Sequence, residues 1–371
     1  MSASALIYFI ACHGGPGAHF SEFAKELNQN GHKIEILATG PAYDKLKSFG
    51  AQDFNPDHLD IDNPSVQQLL AAKVAKSIDP AAKAIITDLG HSIMAEVQSQ
   101  IAEEWPNVRQ IAYYDNPEPF VPGDYSRAAK KVIAASNKIF VAFSNHNLVN
   151  EPIYSAPNAA IELPQNRRIG IGYYPIEAAQ KLKKAREAEK EAARKQFFKT
   201  YNLIDMGQKI LVYFGGNNDV YFEKAFPAFL QLIQEKQMDP SKYLVLLQQH
   251  PGAKGKNIDG NLARGQSLIL SRVSSEEALT FADAALYYQT SMGPQFVLAG
   301  IPSIQIGHET YDDILVRNGL APSVTNHDSF TQAISGLLTN TEKNPNQILS
   351  DLGICKDWTD RLEAAVLGNQ I

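Results

Sequence analysis

Residues 284–307 read AALYYQTSMGPQFVLAGIPSIQIG, and this stretch decides the fold. The apolar run over 284–288 has the length and content of a buried strand. A polar, small-residue turn follows at Gln289, Thr290, Ser291, Met292 and Gly293. Pro294 then opens a short helical pattern over 294–299, at a position where its missing N–H would have no partner. Gly300 closes that helix, and a second strand runs over 301–306. Strand, turn, helix, strand is a βαβ unit. The start of its helix brings free N–H groups and the positive end of a dipole beside two hydroxyls. That chemistry suits a phosphate or diphosphate, although a plain structural βαβ unit reads the same way on this segment alone.

The pattern recurs at the head of the chain. An apolar run over 5–11 reads as a strand buried on both faces. It leads into Cys12-His13-Gly14-Gly15-Pro16-Gly17-Ala18-His19. Phe20, Phe23, Ala24 and Leu27 then share one helical face, Gly31 stops the helix, and 33–38 is the next strand. This order opens a Rossmann-like domain. The glycines allow a tight turn and close approach to a ligand, but their spacing is not G-x-G-x-x-G. No acidic residue ends the second strand, so an NAD site is rejected. His19 is read as sitting where the helix begins, facing the crevice at the strand ends, and is the first candidate for a catalytic role.

Further strand ends carry polar groups at Asp88-Leu89-Gly90-His91 and at Asp115-Asn116. The second of these leads into a proline-rich loop over 117–124. Residues 177–199, rich in Ala, Glu, Lys and Arg, read as a solvated helix whose charges are an exposed face and nothing more. A second domain starts with the strand 208–214 and Gly215-Gly216-Asn217. Strands at 243–247 and 268–270 follow, and Ser274 with Glu277 resembles a capping box. The expected division is 1–175 for a Rossmann-like acceptor-side domain and 176–206 for a linker helix. A nucleotide-sugar domain would span 207–355, with a terminal helix over 356–371 packing back toward the first domain. The fold class expected is α/β, with two Rossmann-like domains facing a cleft.

Composition bounds the function. The chain has 371 residues, 44% hydrophobic and 20% charged, with a net charge of −6. These values are ordinary for a globular protein and argue against a general affinity for nucleic acid. The two cysteines, Cys12 and Cys355, lie far apart with no metal-type spacing and fit a reducing compartment. No basic leader and no run of ~18 apolar residues is present, so the expectation is a cytoplasmic protein with no transmembrane segment. Lys130, Lys131, Phe120 and Val121 leave room for peripheral membrane contact.

These motifs, in this order, resemble the GT-B glycosyltransferases. Gly14-Gly15-Pro16-Gly17-Ala18-His19 is similar to the G-G-x-G-G-H loop of the N-acetylglucosaminyltransferases of peptidoglycan lipid-intermediate synthesis. Gly215-Gly216-Asn217 resembles the second glycine loop. Ala282-Asp283-Ala284 through Gly293, then Ala299-Gly300-Ile301-Pro302, resembles the donor-nucleotide region. Tyr113-Tyr114-Asp115-Asn116-Pro117 more weakly resembles the acceptor-side loop of lipid-A disaccharide synthase. The resemblance covers nearly the whole chain.

The resemblance implies a donor site built from Gly14, Gly15, Gly17, Gly215, Gly216 and Asn217. It adds the backbone of Val273 at the nucleobase and Ser291, Met292 and Gly293 at the diphosphate. Gln295 stands where relatives carry a ribose-binding Glu, and an amide still hydrogen-bonds a hydroxyl. Asp312 and Asp313 take the place of the sugar-recognising pair.

The expected reaction moves a sugar from a UDP-linked donor to a glycan, lipid-linked or other hydroxyl acceptor. Helix N-termini and glycine-loop amides would stabilise the departing diphosphate. His19 would be the general base, with Asp115 and Asp88 behind it. No D-x-D motif calls for a divalent ion, so no metal and no cofactor is expected. Two alternatives are carried: a nucleotide-sugar epimerase or hydrolase of the same fold, and a non-catalytic nucleotide-binding scaffold.

Overall fold

The computed structural model describes residues 4–116, 124–143, 165–216, 219–234, 239, 241–250, 253, 268–309, 313–337 and 344–368. The chain forms two compact units, Met1–Tyr174 with Gly353–Ile371, and Pro175–Leu352. Each is a parallel α/β layer structure. No helix among the described residues is long and apolar enough to cross a membrane.

In the first unit the strands are β1 (Leu6–Ala11), β2 (Lys33–Ala38), β3 (Gln52–Asp53), β4 (Ala84–Asp88), β5 (Arg109–Tyr114), β6 (Lys138–Val141) and β7 (Arg168–Gly170). The helices between them are α1 (Gly14–Gln29), α2 (Gly40–Leu46), α3 (Pro64–Ser77), α4 (Ser92–Glu104) and α5 (Asp124–Ala135). The seven-stranded sheet has the order β3-β2-β1-β4-β5-β6-β7. Because β1 is central, Ile7, Phe9, Ile10 and Ala11 are buried by sheet neighbours and by helices on both faces. Phe9, Phe20 and Phe23 bring α1 onto the sheet, with ring centroids 4.8 and 6.4 Å from Phe9. Trp358 of the terminal helix Trp358–Leu367 packs on Phe23 and Tyr173 of the same unit, at 5.7 and 4.7 Å.

The second unit begins with α6 (Ile176–Thr200) and carries β8 (Lys209–Phe214), β9 (Tyr243–Gln248), β10 (Leu268–Leu270), β11 (Ala284–Tyr287), β12 (Ser303–Ile306) and β13 (Ser323–Val324). Its six-stranded order is β10-β9-β8-β11-β12-β13. In both units the first strand of the unit pairs with its second and fourth, which is the Rossmann arrangement. The opening segment is a βαβ unit as expected, its helix of the length read but one residue earlier, Gly293–Leu298. Ser274 caps the helix Ser275–Phe281, its Oγ accepting from the Glu277 N–H at 3.1 Å.

Two expectations need correction. The glycine run at 14–17 is not a loop ahead of a helix at Phe20 but the first turn of α1 itself. Pro16 falls where no N–H partner is required, and Gly17 N–H already bonds the His13 carbonyl at 3.0 Å. A side chain at Gly17 would press on the Ala42 backbone at 3.1 Å, so close α1–α2 packing selects glycine against its poor helix propensity.

The charges of α6 are likewise more than a solvated face. Arg186, Lys190 and Arg194 recur every four residues on one side. Arg186 donates to the Ala282 carbonyl at 2.9 Å at the end of the helix Ser275–Phe281. Lys190 Nζ lies 2.9 Å and Arg194 Nη1 3.6 Å from the nearly buried Asp283, which also accepts the Ile210 N–H at 2.9 Å. One carboxylate thus ties α6 to the starts of β8 and β11.

Candidate active site

In a doubly wound sheet, connections leave the two central strands in opposite directions and open a crevice at their C-terminal ends. In the first unit those strands are β1 and β4. The register pairs Ile10 with Thr87, so the residues that follow meet across the strand ends. Cys12 and His13 come off β1, Asp88 ends β4, and Asp115 follows β5.

Asp88 is fully buried, at 0% exposure. Its Oδ2 accepts the backbone N–H of Cys12 at 3.0 Å and of His13 at 2.8 Å, and lies 3.1 Å from His13 Nδ1. The Cys12 Sγ is 3.3 Å from the same ring nitrogen. His13 occupies the N-cap position of α1, and its side chain turns to Asp88 rather than capping the helix. Burial works against charge on the imidazole. The hydrogen bond and charge of Asp88, with the charge of Asp115, outweigh it and raise the His13 pKa. Burial, with the Asp88 charge added, pushes the Cys12 thiol well up.

Burial pushes Asp115 up to about 6, its own backbone hydrogen bond opposing, Asp88 adding to the rise and His13 opposing. A Cβ on Gly15 would stand 2.5 Å from Asp115 Oδ2. A side chain at that position would push the carboxyl from its place beside α1. The His91 ring lies 6.1 Å from that of His13, its Nδ1 accepting from Ile93 N–H at 3.2 Å.

The structure therefore brings Asp88, Asp115 and Gly15 together, and adds Cys12 and His13, which sequence reasoning passed over. His19 has a different setting. It lies within α1, its Nδ1 is 2.6 Å from the Tyr113 hydroxyl, and the rings of Phe23, Tyr113 and Tyr173 surround it. Burial pushes its pKa down to about 4, which leaves it neutral near pH 7. Gly14 has only ordinary contact with Pro41, at 3.6 Å from its would-be Cβ.

The strand ends of the second unit gather the donor-site candidates. Gly215 and Gly216 leave room for aromatic rings: a Cβ on Gly215 would come within 2.7 Å of the Tyr221 ring. One on Gly216 would meet Tyr221 and Tyr288 at 3.0 and 3.2 Å. Val273 uses its backbone locally, its N–H on Ser271 Oγ at 3.3 Å and its carbonyl accepting from Gln248 Nε2 at 3.3 Å.

In the turn ahead of the helix Gly293–Leu298, Met292 N–H bonds Thr290 Oγ1 at 3.1 Å and Ser291 is exposed. Gln295 is half-buried on that helix. Asp313 caps the helix Ile314–Arg317, its Oδ1 accepting from Leu315 and Val316 N–H at 2.9 Å each. Its carboxyl is pushed up by burial, with the backbone bonds working the other way. Asn217, Asp312 and the loop 117–123 lie outside the described residues.

Among the described residues, the buried side-chain atoms here without a hydrogen-bond partner include Gln248 Oε1 and His308 Nδ1. Both residues sit directly at or after strand ends. A polar side chain closing an apolar run is the signal by which the sequence could have flagged them, as it could His13.

No protein-family model matches the sequence, and a search of the curated proteins gives no match. Solved structures do match, over essentially the whole chain. A UDP-GlcNAc 2-epimerase from Methanocaldococcus jannaschii aligns with TM-score 0.65 at 14% identity, covering 97% of this chain and 99% of its own. The UDP-GlcNAc 2-epimerase from Neisseria meningitidis, solved with UDP-GlcNAc, gives 0.64 at 12%, covering 98% and 100%. A glycosyltransferase from Rickettsia africae gives 0.66 at 14%, covering 100% of both chains. The fold is GT-B-like. At these identities the likeness is one of fold.

Proposed function

We propose that this chain is an enzyme acting at the anomeric carbon of a nucleotide sugar, UDP-linked, whose first event is departure of the nucleoside diphosphate. The observation that carries the reading is the placement of Asp88, His13 and Asp115 at the strand ends of the first unit. Ionisable side chains are costly to bury and are concentrated where chemistry needs them. In the transfer reading the acceptor oxygen bonds to the anomeric carbon as the carbon–oxygen bond to the diphosphate breaks, and the acceptor proton passes to a base. Asp115, held up to about 6, suits that role near neutral pH. Asp88 orients His13 beside it. His19, neutral and held by Tyr113, takes a packing role in this reading. Within the second unit, a diphosphate would be met at the Ser291 turn ahead of the helix Gly293–Leu298. The work is placed in the cytoplasm, where the free thiols Cys12 and Cys355 stay reduced.

A second reading, epimerisation by elimination and re-addition, is favoured by one feature. Transfer needs a single base, whereas removing and restoring a proton on carbon calls for more than one proton-handling group, and the cluster supplies three. Two of the matching folds are UDP-GlcNAc 2-epimerases, which is in keeping with it.

The deciding experiment incubates the protein with UDP-sugars, first alone and then with a panel of hydroxyl acceptors. Product only with acceptor supports transfer. An epimer or free sugar from donor alone supports the second reading. A selective nucleotide-induced thermal shift with no turnover would overturn both and leave a binding scaffold.

A further inference from the structure

We propose that Cys12, His13 and Asp88 form a binding site for a zinc-class divalent cation. The three side chains each offer one donor atom, and these atoms all lie within 4.8 Å of one another. The ring Nδ1 of His13 stands 3.3 Å from Cys12 Sγ and 3.1 Å from Asp88 Oδ2. Around a tetrahedral zinc with bonds of about 2.0–2.3 Å, neighbouring donor atoms stand about 3.3–3.6 Å apart. Both pairs that include His13 Nδ1 are within a few tenths of an ångström of that spacing, and the Cys12–Asp88 pair, no more than 4.8 Å apart, would draw together on an ion.

A second, independent observation points the same way. Asp88 is fully buried, yet its Oδ1 has no hydrogen-bond partner among the described residues, while Oδ2 already serves two amides. A buried carboxylate oxygen without a partner is costly, and a cation bound at the carboxylate offsets that cost.

The donor set selects the ion. Thiolate with imidazole and carboxylate is a borderline-soft combination that favours zinc or cobalt over magnesium and calcium, which take all-oxygen shells. Three protein ligands leave a fourth position, and the His13 side chain, 34% exposed, opens that side to solvent. On binding, the Cys12 sulfur–hydrogen bond breaks, the sulfur keeps the electron pair and gives it to the metal, and the proton goes to buffer. Occupation would also take His13 and Asp88 out of proton transfer, so the ion acts as a brake on the proposed reaction rather than as its cofactor.

The test uses the full-length protein, stripped with EDTA and desalted. Zinc chloride is titrated by calorimetry, and cobalt chloride by absorption. The expected result is one equivalent per chain, proton release, and a thiolate-to-cobalt charge-transfer band in the near ultraviolet. Cys12→Ser should abolish the band and weaken zinc binding about 100-fold, whereas Cys355→Ser should keep both. Failure of the unsubstituted protein to bind zinc stoichiometrically overturns the proposal, as does a band that survives in Cys12→Ser. The first criterion needs no variant to fold. Neither criterion involves a nucleotide sugar, so the two readings fail separately.

Discussion

The carboxylate of Asp88 holds His13 at two points, its backbone N–H at 2.8 Å and its ring Nδ1 at 3.1 Å, through one oxygen atom. Chain direction and ring orientation at the start of α1 are therefore set by a single residue at the end of β4.

Asp88 should separate structure from chemistry. Asp88→Ala leaves the buried amides of Cys12 and His13 without an acceptor and should cost about 2–4 kcal/mol in urea unfolding. Asp88→Asn keeps an acceptor and should fold close to normally, with turnover lowered about 100-fold or more. Unchanged turnover in Asp88→Asn would confine Asp88 to a structural role.

Gly15 should report on Asp115. A methyl there would meet Asp115 Oδ2 at 2.5 Å, so Gly15→Ala should destabilise by about 1–2 kcal/mol and lower turnover. In an Asp115→Ala background the same change should become neutral or stabilising by up to about 1 kcal/mol, because alanine is the better helix former. A double-mutant cycle of unfolding free energies checks the change of sign.

His19 makes stability depend on pH. Its folded-state pKa of about 4 lies below the ordinary 6.5. Between those values the unfolded chain binds more protons, so this contribution is full above about pH 6.5 and is lost as pH falls toward 4. The loss should reach about 3 kcal/mol at most. His19→Gln retains a polar partner for Tyr113, and chemical denaturation across this window should show a flatter slope in the variant.

Binding of the diphosphate is best probed at Ser291. Gly293→Val is confounded, since a Cβ at Gly293 would first meet Leu315 at 3.0 Å. Ser291 is exposed, so Ser291→Asp sets no new side chain into the core, and urea unfolding of the variant checks that its fold is kept. The added charge beside a bound diphosphate should weaken UDP at least about 10-fold by calorimetry. An unaltered Kd would move the diphosphate away from this turn.

Metal should restrain turnover and not support it. In metal-depleted buffer EDTA should leave the rate unchanged. Zinc should lower it, and EDTA should then restore it. Loss of activity in EDTA that added metal reverses would make the ion a participant in the reaction.

What could be read from the chain follows from the range of each interaction. Strand β2 over Lys33–Ala38, the βαβ unit at 284–307 and the cap at Ser274 depend on apolar runs and on turn and cap chemistry within a few residues. The start of α1 is not legible locally because glycine and proline favour a turn, and only contact with Ala42 and Asp115 explains glycine inside a helix. The charges of α6 read as solvent-facing in the sequence because nothing local marks Asp283, 93 residues from Lys190, as a partner.

The sequence by itself determined two Rossmann-like sheets and the strand ends that carry polar side chains, since burial on both faces demands continuous apolar runs. Tertiary structure alone decided which of those side chains meet. His13 and Asp88 are 75 residues apart and join only because parallel pairing of Ile10 with Thr87 aligns two strand ends. His19, two residues past the glycine run, is carried by the helical turn into the Tyr113 and Tyr173 rings instead.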